Sequence, residues 1–162
     1  MSAETVIAVA ATVIALGSLW VSWSQTRATR LHNRQSVRPL LRFRRIRQDD
    51  LVGLKIVNAG LGPAVVTRST VSLDGVVVGA WDREVKPRLF PPEAWPRTYS
   101  LRPGSVLLAG QAVFLVSLEG GDPGRFREMW DLIDRRLAVE VVYESLYGGE
   151  GFSVTSARPD GG

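Results

Sequence analysis

Residues 51–80 read LVGLKIVNAGLGPAVVTRSTVSLDGVVVGA, and this stretch decides the fold. Short apolar runs bounded by turn-forming residues are typical of β-strands. The break at residues 58–63, NAGLGP, is dense in turn formers, and Asp74-Gly75 is a strong signal for a tight hairpin. We therefore predict three successive strands, at residues 51–58, 65–73 and 76–80.

Strand-like patterns continue on both sides of this stretch. Leu41 and Phe43 alternate with Arg42 and Arg44, which predicts a strand with one basic face. Further strands are expected at residues 98–101, 112–118, 138–144 and 152–155.

One amphipathic helix is predicted among the later strands. Asp122-Pro123 supplies a cap and a first-turn residue for it. Its apolar face would contain Phe126, Met129, Trp130, Ile133 and Leu137. About seven short strands with turns at this spacing predict a mainly β fold, an immunoglobulin-like β-sandwich with one inserted helix. A barrel is the alternative, since the chain has no cysteine pair to mark the immunoglobulin pattern.

The N-terminal stretch predicts a transmembrane helix. Residues 5–23, TVIAVAATVIALGSLWVSW, carry no charge, and a helix of this length spans roughly 28 Å, close to the hydrocarbon thickness of a bilayer. Trp20 and Trp23 stand near its end, where indole rings favour the headgroup boundary. No Lys or Arg precedes it, unlike the basic start of a signal peptide. A cleaved signal and a buried soluble helix are the alternatives.

The positive charge of the chain is concentrated directly after this stretch. Eight arginines and no acid lie between Ser24 and Gln48, whereas residues 49–162 carry 12 basic and 15 acidic side chains, a net charge of −3. Positive flanks stay in the cytoplasm, which predicts an N-out, C-in protein of the bacterial inner (cytoplasmic) membrane. The mildly acidic body argues against nucleic-acid binding.

The arginines after the span are candidate contacts. If the helix continues out of the membrane, four of them form one stripe. Near anionic lipid headgroups each would contribute on the order of 1 kcal/mol. Alternatively they only set topology, or they pair with acids of a neighbouring subunit. Pro39 is expected to end the helix. The predicted lipid or partner contacts are Arg27, Arg30, Arg34, Arg38, Trp20 and Trp23.

Residues 81–104 form a segment of a different kind. Five prolines punctuate it, and Trp81, Phe90 and Trp95 are interleaved with them. A long irregular stretch in a compact domain is usually functional or flexible, and tryptophans supply large contact areas. We predict a candidate partner loop at these three aromatic residues. The alternative is that they close the ends of the sandwich.

The composition excludes several kinds of chemistry. The chain has no cysteine and a single histidine, His32, which excludes thiolate metal sites and leaves a Ser-His-Asp triad almost nowhere to form. Gly60-Leu61-Gly62 fails as a dinucleotide loop because Val65 occupies the third glycine position. The acids of the later helix alternate with arginines, which predicts a solvated, salt-bridged surface. We expect no enzymatic activity, no cofactor and no metal.

Several segments resemble a group of uncharacterised bacterial single-span proteins with a small C-terminal β-domain. They are Ser36-Val37-Arg38-Pro39-Leu40, the run VNAGLGPA at residues 57–64, and Asp74-Gly75. The similarity covers mainly residues 5–80. It implies the same architecture, and the group has no established activity.

The predicted organisation follows the charge and hydropathy pattern. It comprises an extracytoplasmic N-terminus (1–4), a transmembrane helix (5–23), a basic juxtamembrane helix (24–38), a β-sandwich domain (39–157) and a flexible tail (158–162).

Two functions suit this organisation. The first is a non-catalytic accessory or scaffolding subunit of a larger membrane complex, such as a photosynthetic or respiratory assembly, with other membrane subunits as partners. Small residues at Ala8, Ala11, Ala15 and Gly17 would let a neighbouring helix approach closely. The second is a membrane-tethered adaptor or sensor that binds a soluble protein or peptide.

Overall fold

The computed structural model describes residues 2–91, 95–120 and 122–158, without the side chains of residues 26–36. The chain divides into two compact units, Met1–Ser36 and Val37–Gly162. Apart from Arg158, the predicted flexible tail lies outside the described residues.

The first unit is one helix, α1 (Ala3–Ser36). Its part Ala3–Gln25 has a mean hydropathy of 2.0, and none of that part is buried within the chain. The hydroxyls of Thr12 and Ser18 each donate to the carbonyl oxygen four residues earlier, at 2.8 Å. These polar groups are therefore satisfied inside the helix, as an apolar surrounding requires. The helix is long and apolar enough to cross a membrane, and a signal sequence meets the same criteria.

The second unit is a β-rich body with nine strands and two short helices among the residues described. In chain order they are β1 (Leu41–Gln48), β2 (Leu51–Asn58), β3 (Ala64–Leu73), β4 (Val76–Gly79), α2 (Lys86–Leu89), β5 (Arg97–Thr98), β6 (Val106–Leu107), β7 (Ala112–Glu119), α3 (Pro123–Asp131), β8 (Leu137–Glu144) and β9 (Phe152–Thr155). One antiparallel sheet has the strand order β1-β2-β7-β5. The other has the order β4-β3-β8-β9, with β6 also pairing with β3.

Both sheets contribute side chains to a single hydrophobic core. Leu54 and Leu115 come from one sheet, Val66 and Val139 from the other, and all four are fully buried. Buried residues alternate with exposed ones along β8, as expected for a strand with one face on the core. Burial of each such side chain contributes about 1.5–3 kcal/mol. The predicted mainly β body is confirmed at this level.

The turns follow the predicted chemistry. Asp74 and Gly75 have φ angles of 51° and 81°, so both central residues of the β3–β4 turn are left-handed. This is the type I′ geometry that Asp-Gly favours. Asp122 caps α3, because its carboxylate accepts hydrogen bonds from the backbone N–H groups of Gly124 (3.0 Å) and Arg125 (3.3 Å).

The prediction that Leu137 lies on the apolar face of the helix is wrong. α3 ends at Asp131, a π-helical turn follows at Leu132–Arg136, and Leu137 begins β8 opposite Leu73. A π-helical turn contains more residues than an α-helical turn, so the helical spacing of the apolar residues ends there and the chain returns to the sheet. Leu137 is buried all the same, which is why it fits the apolar pattern.

Asn58 connects distant parts of the body through its side chain. Its Oδ1 accepts hydrogen bonds from the backbone N–H groups of Leu40 (3.1 Å) and Gly60 (3.0 Å). Its Nδ2 donates to the carbonyl oxygens of Gly62 (2.8 Å) and Leu107 (3.0 Å). The amide is fully buried, and leaving such a group without partners costs about 1–3 kcal/mol. One side chain thus joins the start of the body to two loops.

Gly60 and Gly62 allow the backbone to pass close to residues 37–40. A Cβ on Gly60 would lie 2.4 Å from the carbonyl oxygen of Arg38, and a Cβ on Gly62 would lie 1.7 Å from that of Val37. Both are backbone atoms, so no side chain can move aside. Only glycine fits at these two positions because of this close approach.

We expect Gly62→Ala to lower the free energy of unfolding of the body by about 1–3 kcal/mol, the usual cost of overpacking. Thermal unfolding of the full chain in mild detergent measures it. Gly17→Ala is the matched control, since a Cβ there meets nothing within 4 Å. Equal unfolding temperatures for the two variants would contradict the close approach.

Candidate interaction surface

Three loops lie at the end of the body where the chain arrives from α1. The loops at 59–63 and 108–111 are held by Asn58 and by the hydrogen bond from the Gly110 N–H to the Asn58 carbonyl oxygen (2.9 Å). The third loop, 145–151, leaves β8 at the same end, because Glu144 pairs with Val65 at the start of β3. We call these loops, together with residues 37–40, the apolar end.

The apolar end exposes large apolar side chains at its tips. Leu61 is 79% exposed, Leu146 67%, Leu108 61% and Tyr147 51%. Residues 59–63, 108–111 and 145–149 include no Asp, Glu, Lys or Arg. Surface turns are normally polar, and an apolar group of side chains in this position is typical of a contact surface.

The turns at the opposite end of the body carry acids. Asp49 and Asp50 lie in the β1–β2 turn and Asp74 in the β3–β4 turn, while Glu119 ends β7 and Asp122 caps α3. We call this end the acidic end. Arg47 and Arg127 lie there as well, so it is the turns of the two ends that differ in charge.

Arg136 restrains one of these acids. Its Nε and Nη2 donate to the Asp74 carboxylate at 2.9 and 2.7 Å. This hydrogen bond holds the pKa of Asp74 below its ordinary value and raises that of Arg136. Nearby, Arg135 pairs with Asp131 at 3.4 Å, so the predicted salt-bridged surface is present at these side chains.

Asp134 differs from the other acids of this region. Its side chain is largely buried, and it lies 3.6 Å from the Arg45 guanidinium and 3.1 Å from that of Arg158. Arg45 also donates to the carbonyl oxygen of Ser156. These contacts join β1 to the chain after β9, which is a structural role.

Trp81, predicted as part of a partner loop, is fully buried. Its backbone N–H donates to the Ser69 Oγ at 3.1 Å, and its indole Nε1 donates to the carbonyl oxygen of Tyr99. The Ser69 hydroxyl in turn donates to the Leu101 carbonyl oxygen at 2.9 Å. Trp81 therefore fixes the irregular segment to β3, which agrees with the packing alternative.

Phe90 is buried as well, and Trp95 is the exposed member of the predicted loop. Phe90 makes edge-to-face contacts with Trp81 and Trp95, both at 6.5 Å between ring centroids. Trp95 is 48% exposed. Burial of two of the three rings leaves Trp95 as the one that a partner could reach.

Lys86 lies in the same segment and is buried. Its Nζ donates to the Ser100 hydroxyl at 2.7 Å and lies 5.9 Å from the Trp81 ring centroid. Burial lowers the pKa of Lys86, the positive charge of Arg83 acts in the same direction, and Asp82 opposes them. The contacts with Ser100 and Trp81 make this lysine part of the packing.

The other predicted contacts lie on or just after α1. Trp20 and Trp23 are both exposed. Arg38 is not on the helix, which ends at Ser36; its guanidinium carbon lies 4.6 Å from the Phe152 ring centroid. A proline disfavours helical geometry in the residue before it, so Pro39 excludes Arg38 from the predicted helical stripe. Three further predicted side chains lie outside the described residues: Arg27, Arg30 and Arg34.

A cleft of about 520 Å³ opens at the acidic end, between the β1–β2 turn and α3. Arg47, Asp49 and Arg127 line it together with Phe126. Charges of both signs are thus present around one aromatic ring. Within the described part of the chain, no group of three or more His, Cys, Asp and Glu side chains could hold a metal ion.

A family model for a domain of unknown function, DUF8453, matches residues 4–157. The chain belongs to this family. The match agrees with the resemblance to uncharacterised proteins and includes both α1 and the body.

A solved structure described as "Crystal structure of protein from Archaeoglobus fulgidus" is 16% identical, covers 72% of this chain and 89% of its own, and has a TM-score of 0.24. No curated protein matches.

Sequence reasoning missed the apolar end. Leu61 lies in the stretch that the sequence indicates only as a turn, and Leu108 and Leu146 lie outside the predicted strands. The signal that could have found them is the apolar character of those turns, since the turns at the acidic end carry the usual Asp residues.

Replacing Trp81 and Trp95 one at a time shows which of the two rings contributes to the core. We expect Trp81→Ala to lower the free energy of unfolding by about 3–5 kcal/mol, because it empties a core site. Trp95→Ala should change it by less than about 1 kcal/mol. Chemical unfolding followed by circular dichroism measures both. Similar losses for the two variants would contradict the assignment of Trp95 to the surface.

Proposed function

We propose that this chain is a non-catalytic accessory or scaffolding subunit of a larger membrane protein assembly. It crosses the bacterial inner membrane once, N-out and C-in, and holds its body in the cytoplasm. The observation that carries the proposal is the apolar surface of α1, which the chain itself leaves entirely uncovered. Lipid satisfies such a surface, and its small residues permit a neighbouring helix to pack against it.

Four properties of α1 support the membrane span. Its apolar part has 23 residues, about 35 Å at 1.5 Å per residue. The hydroxyls of Thr12, Ser18 and Ser24 donate to carbonyl groups of the same helix. Trp20 and Trp23 stand near its C-terminal boundary, and the arginines follow it. A cleaved signal would have its positive charges before the apolar stretch, so their position favours a retained anchor with the body inside.

The strand order supports an immunoglobulin-like sandwich for the body. In the immunoglobulin fold, strands A, B, E and D form one sheet and strands C, F and G form the other. Here β1-β2-β7-β5 and β3-β8-β9 have the corresponding order, and β4 extends the second sheet from β3. Domains of this architecture have many functions, and protein contacts are common among them.

The side chains favour a scaffold over an enzyme. Asp131 and Asp134 pair with arginines, and the buried Lys86 bonds to Ser100. By contrast, large apolar side chains are exposed on α1 and at Leu61, Leu108 and Leu146 of the apolar end. Ala8, Ala11 and Ala15 share one face of α1 and permit the close approach of another helix.

The test is purification from native membranes in mild detergent, followed by identification of what co-purifies. We expect membrane subunits in fixed stoichiometry. Ala11→Leu with Ala15→Leu should abolish the association while the protein remains in the membrane, because bulky side chains keep the neighbouring helix away.

Val9→Leu with Val13→Leu is the control, since it enlarges a different face of α1, by one carbon per position. It should retain the partners. A chain that purifies alone would contradict the proposal. A soluble partner lost on Trp95→Ala would favour the adaptor function instead.

A further inference from the structure

We propose that the apolar end of the body rests on the bilayer interface, with the side chains of Leu61, Leu108, Leu146 and Tyr147 inserted among the lipid headgroups and upper acyl chains. This inference rests on the proposed function, because it requires α1 to be a membrane anchor. The body would then be a second membrane contact, oriented by its own loops.

The chemistry of the tips fits a lipid interface. Three leucines and one tyrosine protrude from separate loops, and each is at least half exposed. Apolar groups that bind at an interface lie roughly 5–10 Å deep, at the boundary of headgroups and acyl chains. A tyrosine there places its ring in the apolar layer and its hydroxyl in the wet one. Water is the less favourable surrounding for all four.

The charge distribution selects the same orientation. Bacterial and other cytoplasmic leaflets carry anionic lipids. The loops of the apolar end contain one acid, Glu150, which accepts hydrogen bonds from the Ser145 N–H and hydroxyl, whereas the turns of the acidic end carry Asp49, Asp50 and Asp74. Repulsion therefore favours the acidic end facing the cytoplasm.

Arginines stand at the border of the apolar end. Arg38 precedes β1, and Arg102 lies in a turn fixed to β3 by the hydrogen bond from the Gly104 N–H to the Val66 carbonyl oxygen (2.8 Å). Both side chains are exposed. A basic border around an apolar centre complements anionic headgroups around a bilayer surface.

The chain keeps this end close to the membrane. The apolar part of α1 ends at Gln25, the helix ends at Ser36, and the body begins with Val37. The intervening eleven residues, 26–36, rise about 16 Å in a helix. By charge, the arginines of this segment in the sequence favour anionic headgroups.

Two of the three tip loops are held in place before they meet the membrane. Asn58 bonds to the backbone on both sides of Leu61, at Gly60 and Gly62, and to Leu107 next to Leu108. Loops ordered in advance lose little conformational entropy on binding. The tips therefore act as a fixed apolar surface.

The test uses the absence of cysteine from the chain. Leu61→Cys, Leu108→Cys and Leu146→Cys are made one at a time, labelled with an environment-sensitive NBD probe, and reconstituted as full chain in nanodiscs of phosphatidylcholine and phosphatidylglycerol. Brominated acyl chains report contact with lipid, and iodide reports exposure to water. Val77→Cys is the matched control, because Val77 is an apolar residue of β4, next to the acidic end, and is 64% exposed.

We expect brominated lipids to quench the probes at positions 61, 108 and 146, and iodide to quench them several-fold less than the probe at position 77. Probes as accessible to iodide as the control would overturn the proposal. Probes shielded from both quenchers would also overturn it, and would indicate that a protein or a second copy of the chain covers this end.

Co-purification of each labelled variant keeps the two proposals distinct. A variant that retains its membrane partners and is open to iodide contradicts the lipid contact alone. A chain that lacks partners but shows lipid quenching contradicts the scaffolding function alone. Unchanged thermal unfolding of the variants confirms that the exposed substitutions leave the body folded.

Discussion

The buried amide of Asn58 is the constraint on which the apolar end of the body depends. Its four hydrogen bonds reach Leu40, Gly60, Gly62 and Leu107, so one side chain holds the first residues of the body and two loops in a single arrangement. An aspartate could not donate to the two carbonyl groups, and an apolar residue would leave all four backbone groups unpaired. Glycine at positions 60 and 62 follows from the same arrangement, because the backbone passes too close for a Cβ.

This arrangement has a functional consequence at the surface. The loops that Asn58 holds carry their apolar residues outward, at Leu61 and Leu108, while the acids of the body are concentrated in the turns at the other end of the same strands. The two ends of the body therefore differ: the end at which the chain arrives from α1 exposes apolar side chains, and the turns at the other end carry acids. The arginines after the apolar helix predict an orientation independently, because positive flanks stay in the cytoplasm. Both features agree with the proposed location of the body against the cytoplasmic face of a membrane.

Local signals predicted much of the fold, and contacts between distant residues account for the rest. The turn at Asp74-Gly75 and the cap at Asp122 act over a few residues, so their chemistry could be read directly. The two-residue strand β6 exists only because Val106 meets Val65, and no periodic pattern can appear in two residues. Trp81 and Phe90 were candidates for a partner loop because a sequence does not reveal which aromatic rings face the core. The apolar end was missed for the same reason, since three separate loops converge only in the folded body.

The central claim is that α1 holds the body on the cytoplasmic side of the inner membrane. Protease protection tests it most directly. Spheroplasts are treated with protease from outside, before and after the membrane is opened. The body is then detected with an antibody raised against it. We predict that the body remains intact until the membrane is opened. Cleavage of the body in closed spheroplasts would contradict the orientation, and release of an intact body in soluble form would contradict the anchor.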